Sequence, residues 1–221
     1  MSALAGVLLA ASWSGGKDSC LALWRAKQAG AKVHCLLNML DENGERSRSH
    51  GVRPEVLTAQ AEAMGLPLVS GKASWAAYEA EFVSRLRALH GEGVQAMVFG
   101  DIDLEPHREW EEKVCAAASL QALLPLWQEA REKLVREFVD AGFSARIVML
   151  NTDMVSKKWL GQTLDHALID AMLAEGVDPC AEGGEFHTLV TDGPLFAAPL
   201  RLRVGEERRD GCYASLDFML S

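Results

Sequence analysis

Apolar runs and helical patterns alternate along the first half of the chain. The apolar run Val7–Ala11 leads through a polar, glycine-containing loop into a helical pattern from Asp18 to Ala29, and a second apolar run spans Lys32–Leu40. Shorter strand-like runs recur at Leu66–Val69 and Val94–Phe99. Apolar strands separated by helices are typical of a parallel sheet that is buried on both faces. The pattern therefore predicts an α/β fold with a doubly wound, Rossmann-like sheet.

Three further helices are expected between these strands. Apolar spacing predicts them over residues 54–64, from about Trp75 to His90, and over 106–118. The aromatic and aliphatic stripe of the second of these, which begins at Trp75, is interpreted as core packing.

The composition changes near residue 120, where Pro125 interrupts the apolar stretch Leu120–Trp127. We place a domain boundary there, which predicts a first domain over residues 1–120 and a smaller α/β domain over 121–221. The pattern after the boundary predicts a helix from near Gln128, a strand at 144–150, a helix over 163–174 capped by Thr163 or Gly161, and terminal strands at 199–204 and 211–219 joined by a charged turn at 206–210.

The loop after the first apolar run has the composition of a phosphate-binding turn. Gly15 and Gly16 permit positive φ and a close backbone approach, and the first turn of the following helix favours an anion. Lys17 adds a positive charge, while Ser14 and Ser19 add hydroxyl donors. The residues expected to bind the nucleotide here are Ser14, Gly15, Gly16, Lys17, Asp18 and Ser19.

This loop is not a Walker loop. Alignment on Gly16–Lys17 puts Ala11 at the first required glycine and Asp18 at the required serine or threonine. S-G-G-K-D-S at 14–19 instead resembles the signature of the PP-loop ATP pyrophosphatases, which break the α–β bond of ATP and release AMP and pyrophosphate. The alternative is a glycine-rich strand-to-helix turn that holds no ligand.

Polar residues also follow two other predicted strands, at the edge where open α/β sheets bind ligands. Asn38 lies near the end of Lys32–Leu40, and Gly100–Asp101 ends the strand at 94–99. An aspartate in this place suits a magnesium ion or a ribose hydroxyl, or it is a simple turn residue. The polar segment 41–51 is either a solvated loop or a lid over the nucleotide.

A second glycine-rich stretch, CAEGGEFHTLV at 180–190, carries two carboxylates. Glu182 and Glu185 flank a Gly-Gly pair, and His187 follows. When they lie near an ATP site, such carboxylates can bind magnesium, act as a base toward an incoming amine, or hold an ammonium ion. Taken alone, the motif also fits a glycine hairpin with solvated acids.

Charge and cysteine content narrow the class of protein. The formal net charge of −9 over 221 residues argues against a broad nucleic-acid-binding surface. Five widely spaced cysteines without a Cys-x-x-Cys pair favour a reducing, cytoplasmic location. No apolar run reaches membrane-spanning length, and the apolar start MSALAGVLLAAS is interpreted as a buried first strand rather than a signal-peptide core.

With both glycine-rich stretches in view, the chain resembles the diphthine–ammonia ligase (diphthamide synthetase) family of PP-loop ATPases. The shared motifs run from end to end: SGGKDSC at 14–20, AEAMGLPL at 61–68, FGD at 99–101, LLPLW at 123–127, WLGQTLD at 159–165, CAEGGEFHT at 180–188 and DGPLF at 192–196. The resemblance implies a Rossmann-like ATP-binding domain followed by a smaller α/β domain. It also implies that diphthine, a modified histidine of elongation factor 2, is amidated with ATP and ammonia through an adenylate.

The resemblance further implies roles for individual residues. Ser14–Ser19 would hold the pyrophosphate portion of ATP, and Lys17 would stabilise charge on its β,γ-phosphates. Asp18 and Asp101 would place Mg2+, while Glu182 and Glu185 would face the adenylate and ammonia. ATP and Mg2+ are thus the expected cofactors, and a homodimer is left open.

Two positions depart from the family motif, which usually reads Cys-Gly-Glu-Gly-Gly-Glu-Tyr-Glu-Thr. Ala181 stands for a glycine and His187 for a glutamate, which suggests a bacterial-type relative, to which the ATP chemistry of the family transfers more safely than its acceptor. The alternatives are therefore a PP-loop pyrophosphatase that activates another small-molecule or protein carboxylate, and a non-catalytic ATP- or AMP-binding module.

Overall fold

A computed structural model of the protein describes residues 4–221; residues 1–3, part of the apolar start interpreted as leading into the first strand, lie outside the described residues. The described chain forms two compact units. The first unit comprises residues 4–14, 18–48 and 66–128, and the second comprises 15–17, 49–65 and 129–221. Neither unit is a continuous half of the chain, and the boundary near residue 120 stays a prediction.

The first unit contains a parallel sheet in which the first strand is central. The sheet order is β3-β2-β1-β4-β5, and all its pairings are parallel. Its strands are β1 (Leu8–Ser12), β2 (Lys32–Leu40), β3 (Leu68–Lys72), β4 (Ala96–Val98) and β5 (Gln121–Leu123). This order matches the first five strands of the doubly wound Rossmann order 3-2-1-4-5-6, so the predicted fold class is confirmed.

Helices follow the strands of this sheet along the chain. They are α1 (Lys17–Gln28), α3 (Tyr78–Gly91) and α4 (Glu105–Ala117), and α2 (Pro54–Ala63) belongs with the second unit. Apolar side chains of α3, α4 and the strands form one buried cluster that includes Phe82, Leu86 and Met97. Because β1 is buried at Leu9, Ala10 and Ala11, the loop that follows it starts from a fixed strand end.

One expectation for the first unit is corrected, and one of its strands was not expected. Trp75 does not belong to the core: it is 73% exposed and precedes α3, and the Arg48 guanidinium lies 4.4 Å from its ring centroid. The edge strand β5 was not predicted, because its three residues are too short to show an alternating pattern.

The second unit contains a four-stranded antiparallel sheet in the order β7-β6-β9-β8. Its strands are β6 (Ser144–Asn151), β7 (Phe186–Asp192), β8 (Leu202–Asp210) and β9 (Tyr213–Leu220). The predicted charged turn at 206–210 is wrong, because these residues extend β8 and the turn is at Gly211–Cys212, where Gly211 has φ +57°. A run of charged residues on an exposed strand has the same composition as a polar turn, so the sequence alone did not distinguish the two.

The helices of the second unit are α2, α5 (Arg131–Asp140) and α6 (His166–Ala174), with a 3₁₀ turn at Lys157–Trp159. Neither Thr163 nor Gly161 caps α6. Asp165 does, since its carboxylate accepts a hydrogen bond of 2.8 Å from the Leu168 N–H. Among residues 4–221, no helix combines the length and apolar content needed to cross a membrane.

Candidate functional site

Glycine is required at positions 15 and 16 for different structural reasons. Gly15 has φ +84°, a conformation that side chains rarely adopt. Gly16 is needed for close approach: a Cβ there would lie 2.4 Å from His50 Cε1 and 3.1 Å from the Thr188 carbonyl oxygen. We expected the close approach to be to an anion, and the structure shows an imidazole and a strand carbonyl beside Gly16.

The loop residues of the second unit are attached to the outer edge of β7. This strand ends its sheet, so its outward N–H and C=O groups need other partners. The Val190 N–H donates to the Gly15 carbonyl at 2.9 Å, and the Lys17 N–H donates to Thr188 Oγ1 at 3.0 Å. Residues 171 or more positions apart thereby form one site.

Lys17 connects the loop to the glycine-rich stretch at 180–190. Its side chain is only 4% exposed, and its ammonium group donates to the Cys180 carbonyl oxygen. The positive charge of Lys17 is therefore held beside the segment that carries Glu182 and Glu185.

Two histidines pack against each other at the same place. The ring centroids of His50 and His187 are 4.6 Å apart, and His50 Nδ1 donates to the Thr188 carbonyl at 2.9 Å. Burial and the Lys17 charge lower the pKa of His187 to about 4. Burial, His187 and Lys17 hold the pKa of His50 well below its usual value. Both rings are therefore neutral near pH 7.

The segment with the two glutamates is ordered by Asp178. Its carboxylate accepts from the Cys180 and Glu182 N–H groups at 2.9 and 3.2 Å, and it pairs with Arg131 at 2.7 Å. Ala181 has φ +62°, the left-handed conformation for which the family's glycine is suited. Ala181 therefore adopts this turn with the strain of a Cβ.

Glu185 carries a buried carboxylate oxygen. Among residues 4–221, no hydrogen-bond partner contacts its Oε2, although such groups are normally satisfied. The carboxylate lies over Gly183, where a Cβ would be 2.8 Å from Glu185 Oε1. The site therefore offers an acceptor for a hydrogen-bond donor.

The remaining loop residues, Ser14, Asp18 and Ser19, lie in the first unit. The Ser14 and Ser19 hydroxyls are 3.1 Å apart. Gly100 lets the first turn of α1 pack closely against it, since a Cβ at position 100 would lie 2.6 Å from the Ser19 nitrogen. Asn38 donates to the Trp13 carbonyl at 2.6 Å, so it supports the backbone just before the loop.

Asp101 forms a carboxylate pair with Glu111. Burial alone would raise the pKa of Asp101, but hydrogen bonds with His107 and Glu111 outweigh it and the pKa is lowered. Burial and Asp101 raise the pKa of Glu111 to about 11. Glu111 therefore holds a proton while Asp101 is ionised, with His107 Nδ1 2.7 Å from Asp101 Oδ1.

The sequence did not predict Gln60, Glu111 or Thr188 as residues of these sites, and it did not predict the role of His50. A signal existed for two of them. Gln60 shares the buried face of α2 with Val56 and Leu57, and Glu111 shares that of α4 with Val114. A polar residue on an apolar face is informative. Thr188 and His50 had no local signal.

No group of three or more His, Cys, Asp or Glu side chains within residues 4–221 is arranged to hold a metal ion. Magnesium usually takes one or two protein carboxylates and completes its shell with phosphates and water. The ionised Asp101 supplies an oxygen ligand of that type and the protonated Glu111 holds it in place, so the residues fit a substrate-completed ion.

The parallel sheet of order 3-2-1-4-5, with a glycine-rich loop after its central strand, defines a Rossmann-like α/β protein. Comparison with known families agrees. Residues 8–122 match the diphthamide synthase N-terminal domain and residues 130–215 match the diphthamide synthase C-terminal domain. The chain belongs to the diphthamide synthase family, which confirms the resemblance stated above.

Curated relatives are enzymes named diphthine–ammonia ligase. The human protein is 31% identical over 213 residues, covering 85% of this chain and 80% of its own length. The Schizosaccharomyces pombe protein is 30% identical over 83% of this chain, which spans only 34% of that longer protein. The Danio rerio protein is 28% identical over 93% of this chain and 91% of its own length.

Two solved structures are similar at low identity. One is described as a predicted subunit of tRNA methyltransferase from Methanocaldococcus jannaschii (TM-score 0.46, 17% identity, 85% of this chain and 98% of that one). The other is a U34-tRNA thiolase from Methanococcus maripaludis (TM-score 0.40, 13% identity, 63% of this chain and 58% of that one). Since both TM-scores are below 0.5, the assignment rests on the sequence family.

Proposed function

We propose that this protein is an ATP-dependent amide ligase of the diphthine–ammonia type. A carboxylate oxygen of the acceptor attacks the α-phosphorus of ATP, the α–β bond breaks, and pyrophosphate leaves. Ammonia then attacks the acyl carbon of the adenylate, loses a proton and displaces AMP. The observation that carries the proposal is the attachment of Lys17 to the Glu182–Glu185 segment through the Cys180 carbonyl, in a chain of the diphthamide synthase family.

The phosphate loop binds the pyrophosphate portion of ATP in this proposal. Backbone N–H groups of the loop and the start of α1 face negative charge, and Ser14 and Ser19 add hydroxyl donors. Lys17 stabilises the charge that develops on the β,γ-phosphates as the α–β bond breaks. The buried position of Lys17 strengthens this effect, because water does not screen a charge that is 4% exposed.

Glu185 is the residue that we assign to the incoming amine. Its buried Oε2 lacks a partner among the described residues, and an ammonium ion or ammonia would supply the missing donor. As a carboxylate it accepts the proton that the amine loses. Glu182, whose N–H is held by Asp178, faces the adenylate from the same turn.

Asp18 and Asp101 are the residues that would hold Mg2+. The ion would neutralise phosphate charge during transfer. Ionised Asp101 supplies one oxygen, and protonated Glu111 keeps it in place through their hydrogen bond.

The proposal also covers the acceptor that is amidated and the place where the reaction occurs. Diphthine on elongation factor 2 is the first candidate acceptor, and the reaction would take place in the cytoplasm, with a homodimer left open. Ala181 and His187 favour a second candidate, another carboxylate activated by the same chemistry, because His187 replaces a family carboxylate with a neutral ring beside Lys17.

The acceptor test uses purified protein with ATP, Mg2+, ammonia and elongation factor 2 bearing diphthine. Mass spectrometry should detect the small decrease in mass that occurs when the OH of the carboxyl group is replaced by the NH2 of the amide. Glu185→Gln should retain ATP affinity and lose at least about tenfold in amide formation. Amide formation by Glu185→Gln at the wild-type rate would contradict the role of Glu185.

A further inference from the structure

Gln60 is an amide buried on an apolar helix face. It lies on α2 beside Val56, Leu57 and Ala61, and its side chain is 0% exposed. An amide without partners is costly to bury, whereas leucine would suit this face without that cost. Its presence therefore calls for a hydrogen-bonding role.

Both hydrogen bonds that Gln60 Nε2 donates reach backbone carbonyls of the phosphate site. One reaches the Gly15 carbonyl at 3.0 Å and the other reaches the Val190 carbonyl at 2.7 Å. The Val190 N–H also donates to the Gly15 carbonyl at 2.9 Å. Two donors from separate elements thus converge on one loop carbonyl, which has lone pairs for both.

These bonds determine the orientation of the Gly15–Gly16 peptide plane. A trans peptide is planar, so the Gly16 N–H points opposite to the Gly15 carbonyl. The carbonyl is directed at Gln60 and Val190, and the Gly16 N–H is directed away from them. Gln60 also packs closely against the loop, because a Cβ on Gly15 would lie 2.9 Å from Gln60 Oε1.

We propose that Gln60 is a positioning residue for ATP binding, which orients the Gly15–Gly16 peptide so that the phosphate loop presents its amide to the nucleotide. The inference rests on the proposed function, since it assumes that this loop binds ATP. In this proposal Gln60 acts on the nucleotide through the loop backbone, to which it donates its hydrogen bonds. It acts by excluding loop conformations in which the Gly15 carbonyl would face the phosphates.

The test measures the dissociation constant for ATP by titration calorimetry, with two substitutions of similar size. Gln60→Met removes both donors without adding charge and should weaken binding about tenfold at every pH. Gln60→Glu places a carboxylate against two carbonyls and should weaken binding further at pH 9. Burial raises the pKa of that carboxyl, so its protonated form should recover part of the affinity relative to wild type as the pH falls from 9 to 6.

Gln162→Glu is the matched control, because Gln162 is an exposed glutamine of the same unit and its change should leave affinity unaltered at each pH. Melting temperatures of all variants are recorded. A folded Gln60→Met variant with wild-type ATP affinity would overturn the positioning role while leaving the proposed function intact. If the wild-type protein does not bind ATP, the proposed function fails, and the inference fails with it.

Discussion

At the scale of single residues, the departures from the family motif have local physical consequences. Ala181 occupies a left-handed conformation with φ +62°, and His187 is a neutral ring packed on His50 and influenced by Lys17. Neither consequence depends on knowing the acceptor. Each gives a change in stability that can be measured directly.

Ala181→Gly should stabilise the protein by about 0.5–1 kcal/mol, because glycine adopts positive φ without the Cβ penalty. Chemical unfolding measures the effect. Ala174→Gly is the matched control at an exposed site near the end of α6, where the same substitution should destabilise by a similar amount. Destabilisation in both variants would contradict the strain assigned to Ala181.

His187 should make the free energy of unfolding depend on pH. Its pKa is about 4 in the folded protein and about 6.5 when unfolded, so the unfolded state binds the proton more readily. The stabilising contribution is complete well above pH 6.5 and is lost as the pH falls toward 4, by about 3 kcal/mol.

His187→Gln should flatten this part of the stability profile relative to wild type. His166→Gln serves as the control, since His166 is exposed on α6 and pairs with Asp140. If the His187→Gln and wild-type profiles stay parallel from pH 6.5 to 4, the low pKa assigned to His187 is wrong.

At the scale of elements, periodic segments were predictable and short or charged ones were not. The strand Lys32–Leu40 has the predicted limits because most of its residues are apolar and polar segments flank it. Strand β5 is too short for a pattern, and the charges at 206–210 concealed the end of β8. The start of α6 was placed too early because several residues before it resemble caps.

The cap of α6 gives a prediction at this scale. Asp165→Ala should destabilise the protein by about 1 kcal/mol, since it leaves the Leu168 N–H without its 2.8 Å acceptor. Asp165→Asn retains an acceptor and should lose much less. Equal losses for the two variants in thermal unfolding would indicate that the cap hydrogen bond is not the source of the effect.

At the scale of the whole molecule, the sequence could identify both glycine-rich stretches but not their contact. Residues 15–17 and 49–65 cluster with the chain after 129, although 163 positions separate Lys17 from Cys180. Local periodicity carries no information on such distances. The family resemblance implied that the two stretches act together. Only the structure showed that Gln60, Thr188 and His50 surround the loop.

The most direct test of the central claim is the identity of the nucleotide product. Wild-type protein incubated with ATP, Mg2+, ammonia and an acceptor carboxylate should release AMP and pyrophosphate in equal amounts, measured by ion-exchange chromatography. Lys17→Ala should lower that rate by at least about a hundredfold while circular dichroism shows an intact fold. Release of ADP and phosphate by the wild-type protein, or unchanged AMP formation by Lys17→Ala, would contradict the account.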